Sequence, residues 1–162
     1  MRDSEFRSVS TLFLMCGLPG AGKTTLARRL EQEYAAVRLT PDEWISKILP
    51  ADWSRDELDR LRSPVESLQW TLAERLLALG TSVVLDWGLW GREERDVLRD
   101  QARALGAHVV VHYLNPPRDE LVARLSGRGA GSSTSTFVVT EDELDLWAGM
   151  LEPPTPDELA LR

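Results

Sequence analysis

Eight residues, Gly17-Leu18-Pro19-Gly20-Ala21-Gly22-Lys23-Thr24, set the chemistry that this 162-residue chain can perform. They satisfy G-x-x-x-x-G-K-[ST], the pattern of a loop that wraps phosphate oxygens in backbone N–H groups. Gly17, Gly20 and Gly22 allow those N–H groups to turn inward without Cβ clashes, and Pro19, Ala21 and Thr25 complete the cradle. Lys23 provides a point charge for β and γ phosphates, and the Thr24 hydroxyl is a ligand for Mg²⁺. The flanks agree. Thr11–Cys16 is an apolar run suited to a buried parallel strand, and Leu26, Ala27 and Leu30 recur at helical spacing after the loop. The bound phosphates would therefore lie at a helix N-terminus. Mg²⁺ and a nucleoside triphosphate, ATP or GTP, are the expected ligands.

Other residues have spacings that suit the same chemistry. Asp42 follows a second short strand, as a general base for an attacking hydroxyl would, or as an acidic residue in a helix's first turn. Asp86 closes an apolar strand, the form of a carboxylate that supports Mg²⁺. Arg124 and Arg128 lie four apart on a helix and could offset transition-state charge from a closing segment. Arg38, Arg92 and Arg95 are candidates to grip an anionic group on an acceptor, although Arg92 and Arg95 stand among acids that could pair with them. Of six tryptophans, Trp44, Trp87 and Trp90 follow strand ends and would suit the wall of an acceptor pocket, with Trp53 in a nearby loop. Trp70 and Trp147 read as packing residues. His108 and His112 lack the companions of a zinc site.

The elements that must position these groups alternate. Strands are expected near 11–16, 36–40, 82–86 and 108–114, and helices near 23–34, from 41, from 65 to 79, 92–105, to 126 and 141–149. Helix starts carry a repeated capping signature at Thr40-Pro41-Asp42-Glu43, Ser54-Arg55-Asp56-Glu57, Ser63-Pro64-Val65-Glu66, Thr140-Glu141-Asp142-Glu143 and Thr155-Pro156-Asp157-Glu158. In the helix from Val65, the inward face is expected to hold Leu68, Leu72, Ala73, Leu76 and Leu77. In the helix at 92–105 it is expected to hold Val97, Leu98, Ala102 and Leu105. The segment 127–136 is small and polar apart from Arg128, so a mobile lid is expected at about 127–140, while residues 1–10 read as a disordered arm. The last residues form either a short helix, which the capping signature favours, or a fifth edge strand. This order predicts one α/β domain over 11–162, a three-layer fold around a parallel sheet with its ligands at the strands' C-terminal ends.

Composition narrows the classes of partner. A net charge of −7 disfavours a general nucleic-acid or anionic-membrane binder. One cysteine allows no internal disulfide, which suits a reducing cytoplasm, and Cys16 reads as a small buried residue. No run approaches membrane-spanning length.

Taken together, the phosphate loop, Asp42, Asp86 and Arg124-Leu125-Ser126-Gly127-Arg128 resemble the P-loop small-molecule kinases. The resemblance is closest to the branch with chloramphenicol phosphotransferase, zeta toxins and polynucleotide kinase. It extends to Leu85–Arg95 and Leu151–Glu158. It implies strand order 2-3-1-4, with a fifth strand beyond, and transfer of the ATP γ-phosphoryl to a hydroxyl of a small molecule. It further implies Asp42 as base, Arg124 and Arg128 as lid arginines, and the segment 152–158 near the adenine. In polynucleotide kinases and several zeta toxins an arginine three residues after the base grips the substrate. Ile45 stands there instead, which weakens a nucleic-acid acceptor. The alternatives are a nucleotide-gated switch with slow ATPase, and a 5′-hydroxyl polynucleotide kinase.

Overall fold

A computed structural model describes residues 9–49, 54–128 and 139–160. The chain runs β1 (Thr11–Cys16), α1 (Lys23–Glu33), β2 (Val37–Leu39), α2 (Pro41–Ile48), α3 (Arg55–Ala78), β3 (Val83–Gly88), α4 (Arg92–Ala104), β4 (His108–Tyr113), α5 (Arg118–Arg128), α6 (Glu141–Met150) and α7 (Pro156–Leu159). The expected arm through residue 8, Trp53 and lid residues 129–138 lie outside the described residues.

Four strands form one parallel sheet in the order β2-β3-β1-β4. The α/β class and the strand order match the sequence expectation. Because side chains alternate along a strand, β1 supplies two cores. Leu12, Leu14 and Cys16 join Val83, Leu85, Ala73, Leu77, Leu98 and Ala102 on the face covered by α3 and α4. Phe13 and Met15 join Val84, Ala27, Leu30 and Ala36 on the face covered by α1. A third cluster, Leu18, Ala21, Leu121 and Leu144, docks α5 and α6 beside the phosphate loop. Cys16 is fully buried, and that burial pushes its thiol up to about 11, so it behaves as a core residue.

Several local expectations are corrected. Ser63-Pro64 does not begin a helix: α3 starts at Arg55, behind the Ser54 capping box, and continues through Pro64, and beyond the proline Val65, Gln69, Ala73 and Leu77, one turn apart, form its buried stripe. That stripe leaves Leu68 exposed and Leu72 at its margin. In α4 the inward face is Arg95, Leu98, Arg99 and Ala102, leaving Val97 and Leu105 largely exposed. In each helix a polar residue takes an inward position because it has a buried partner, so apolar periodicity alone misplaces the face.

Thr40 precedes α2 without a side-chain cap, whereas Ser54 and Thr140 form reciprocal capping boxes. The segment after Thr155 is a short helix, and no fifth strand occurs among the described residues.

Candidate active site

The phosphate loop leaves β1 at Gly17 and enters α1 at Lys23. Two glycines are required by position. A Cβ on Gly17 would lie 2.5 Å from the Leu114 carbonyl oxygen, so nothing larger fits between the ends of β1 and β4. Gly22 caps α1 with φ 97°, a left-handed conformation that L side chains rarely adopt. Neighbouring strands fix the loop: the Gly17 N–H donates to the Gly88 carbonyl at 3.2 Å, and the Leu114 N–H donates to the Cys16 carbonyl at 2.9 Å. Lys23 Nζ lies within the loop and donates to the Leu18 carbonyl at 2.8 Å.

Asp86, near the end of β3, meets this loop. It is 8% exposed, accepts a hydrogen bond from the Thr24 hydroxyl, and pairs with Arg38 Nη1 at 3.3 Å. Burial raises its carboxyl above the ordinary carboxylate range; the Thr24 hydroxyl, Arg38 and Lys23 draw it back only in part. One buried carboxylate beside one hydroxyl at a phosphate cradle is a hard-oxygen donor set of the kind Mg²⁺ accepts together with nucleotide phosphates and water. The two expected metal residues thus come together and fit that ion. Among the described residues no cluster of three or more acidic, histidine or cysteine side chains offers a protein-only metal cage.

A cleft of about 630 Å³ opens along the outer side of the loop. It is lined by Gly20, Gly22, Thr25, Leu26, Arg29 and Arg124, among others. Arg124 donates to the Gly20 carbonyl at 3.2 Å and pairs with Glu120, so α5 reaches the loop. Arg128 is the last residue of α5. Arg29 escaped the motif reading, although it lies one helical turn beyond Thr25 on the same side of α1.

Past the C-terminal end of β2, Asp42 is exposed in the first turn of α2. Arg62 Nη2 of α3 donates to its Oδ1 at 2.6 Å. Arg62 also approaches Glu66 at 3.7 Å. Burial pushes the Glu66 carboxyl up to about 7; Arg62 opposes that rise, and Glu94 and Asp42 add to it. Neither Arg62 nor Glu66 was apparent in the sequence, because both sit in a charge-rich helix where most residues are solvated.

The expected acceptor-binding residues are placed differently. Arg38 has its guanidinium between Glu43, at 2.6 Å, and Asp86, so it joins the acidic groups of the site and is not available to an anion. Trp44 and Trp87 pack against the α3/α4 core, and the Trp87 indole N–H donates to buried Gln69. Trp90 turns toward the loop: its indole N–H donates to the Gly17 carbonyl at 3.2 Å, and its ring lies 5.9 Å from that of Trp147. Arg92 spreads over Asp96, Thr155 and Asp157 at the surface. Arg95 is fully buried on Glu158 and cannot reach a ligand. The segment 152–158 likewise packs on the turn after β3, with Glu158 facing the core, and does not border the cleft described above.

This geometry, a phosphate loop between parallel strands with an acidic residue near the end of the adjacent strand, defines a P-loop nucleotide-site fold. The AAA domain family model matches residues 12–154, and the chain belongs to that family. Solved structures share the fold. A presumed kinase of Chloroflexus aurantiacus superposes with a TM-score of 0.74 at 19% identity, covering 92% of this chain and 84% of its own. Kti12 of Chaetomium thermophilum, solved with ADP-AlF3, gives 0.66 at 16% identity, covering 90% and 82%. A chain of the Pnkp1/Rnl/Hen1 RNA repair complex gives 0.70 at 18% identity; 93% of this chain corresponds to only 47% of that one. A gluconokinase of Sinorhizobium meliloti gives 0.58 at 18% identity, covering 93% and 79%. No curated protein sequence matches the chain. Among the described residues no helix is long and apolar enough to cross a membrane.

Proposed function

We propose that this chain is an ATP-dependent phosphotransferase that moves the γ-phosphoryl of Mg·ATP to a hydroxyl of a small molecule. The observation that carries the reading is the pairing of two sites at one sheet edge: a phosphate loop with Lys23, Thr24 and Asp86, and beside it an exposed carboxylate, Asp42, held by Arg62. A fold shared with the Chloroflexus kinase and the gluconokinase supports it.

The chain's own groups divide the work. Loop N–H groups and Lys23 bind the β and γ phosphates, the lysine exchanging the Leu18 carbonyl for phosphate oxygens. Thr24 and Asp86 are the residues that would hold Mg²⁺, which when bound offsets phosphate charge. Arg62 fixes the direction of the Asp42 carboxylate, and Asp42 accepts the proton of the acceptor hydroxyl. The acceptor oxygen then forms a bond to the γ phosphorus as the bond to the bridging oxygen of ADP breaks. Arg124, already at the loop, and Arg128, which ends α5, supply positive charge from the lid side.

Arg38, Arg92 and Arg95 are all paired with carboxylates, and the arginine-substituting Ile45 is buried in α2. Both facts favour a neutral small-molecule acceptor over nucleic acid. The test is ATP consumption with Mg²⁺ against nucleosides, sugars, aminoglycosides and phenicols, with Asp42→Asn alongside. Stimulation by one class that is lost in the variant supports the proposal. Turnover that no hydroxyl compound changes, and that Asp42→Asn retains, contradicts it.

A further inference from the structure

A chain of buried contacts joins the C-terminal segment to the phosphate loop. Arg95 and Glu158 form a two-pronged ion pair, Nε to Oε1 at 2.7 Å and Nη2 to Oε2 at 3.3 Å, with neither side chain exposed. Glu158 also accepts the Thr155 N–H at 2.8 Å. Burial would raise the Glu158 carboxyl, but Arg95 and that N–H outweigh it and hold it below the ordinary range. The second face of the guanidinium continues the chain: Arg95 Nη1 donates to the carbonyls of Leu89 and Trp90, each at 3.0 Å. The Trp90 carbonyl accepts the Glu152 N–H as well, at 2.9 Å. From this turn the Trp90 indole N–H reaches the Gly17 carbonyl.

The turn so clamped is not relaxed. Leu89 has φ 44° and Gly88 φ 105°, and left-handed backbone at a leucine persists where its surroundings impose it. A side chain on Gly88 would begin 3.5 Å from Trp90 Nε1 and 3.9 Å from Lys23 Cε, so this turn lies directly against the loop lysine. The Gly88 carbonyl accepts the Gly17 N–H. Both polar groups of the Gly17 backbone therefore bond to a turn whose shape Arg95 and Glu158 set.

We infer that segment 151–158 is a strap that presets the phosphate loop, with Glu158, Arg95 and Trp90 as positioning residues for nucleotide. The inference rests on reading the loop as a nucleotide site but not on any phosphoryl acceptor. It also accounts for buried charge at Arg95, which no packing need explains: a hydrophobic residue could fill that volume without the desolvation penalty.

The test is binding of Mg·ADP and of a non-hydrolysable ATP analogue, measured calorimetrically on the full chain well below each variant's Tm. Trp90→Phe keeps an aromatic ring and deletes the bond to Gly17; loss of one such bond should raise Kd about three- to tenfold. Glu158→Gln keeps the shape and removes the charge that orients Arg95, and should raise Kd similarly. Since both act through one chain, the double variant should bind no worse than the weaker single variant. Val109→Ala, at the opposite end of the sheet, lowers Tm and should leave Kd within about twofold. If Glu158→Gln does not fold, Trp90→Phe and Val109→Ala still decide. Wild-type binding with an unchanged Kd in Trp90→Phe overturns the strap while leaving the nucleotide reading intact. Failure of the wild type to bind either nucleotide overturns both.

Discussion

Glu66 lets the electrostatics beside Asp42 be tested without knowing the substrate. Its carboxyl stands at about 7 in the folded chain, against an unfolded value near 4.5, and the main cause is burial. A carboxylate raised in this way contributes stability below the unfolded value, where it is protonated in both states, and loses it as pH rises through the folded value. Glu66→Gln supplies a permanently neutral side chain of the same shape. Relative to wild type, the variant should gain about 1.4 kcal/mol at about pH 5.5 and about 3 kcal/mol at about pH 8, because one pH unit corresponds to about 1.36 kcal/mol. The difference of about 2 kcal/mol corresponds to roughly 4–8 °C in Tm for a chain of this size. Differential scanning calorimetry of both proteins at the two pH values provides the assay. A gain in Tm that is equal at both pH values, or a loss at about pH 8, refutes the reasoning. The second result would mean that attraction to Arg62 outweighs burial.

Further outcomes follow from the site. Lys23→Met removes the loop's charge while breaking its bond to the Leu18 carbonyl; nucleotide Kd should rise about 10–100-fold by calorimetry with Tm nearly unchanged. Gly17→Ala places a Cβ 2.5 Å from the Leu114 oxygen, so urea unfolding should show a loss of about 1–3 kcal/mol together with loss of nucleotide binding. Because Arg38, Arg92 and Arg95 are committed to carboxylates, a phosphorylated acceptor should stimulate ATP consumption less than its unphosphorylated counterpart, by steady-state comparison of kcat/KM.

The donor side of the site was legible in the sequence because its constraints are local. The loop needs glycines at fixed places, Lys23 and Thr24 follow at fixed offsets, and Asp86 ends an apolar strand. Strand order came from the family resemblance, and the four observed strands follow it. Side-chain commitments across long sequence separations were not legible. Arg95 beside Glu94 and Asp96 reads in the sequence as a grip for an anionic acceptor group or as a surface ion pair, whereas its partner, Glu158, lies 63 positions away. Trp90 looked like an acceptor wall, but it bonds to Gly17 across 73 positions. Arg62, the partner of Asp42, sits in a helix that the capping signature at Ser63-Pro64 divides in the sequence. Gln69 and Arg99 occupied inward helix positions that a count of apolar residues gave to Leu68 and Val97.

The central claim is phosphoryl transfer to a hydroxyl with Asp42 as base. Phosphorus NMR of Mg·ATP turnover, run with the acceptor class that stimulates ATP consumption, tests it most directly. A new phosphate-ester resonance rising in step with ADP, and slowed about 10²–10⁴-fold in a folded Asp42→Asn variant that still binds ATP, is the predicted result. Inorganic phosphate as the sole product, formed at the same rate by the variant, would contradict it.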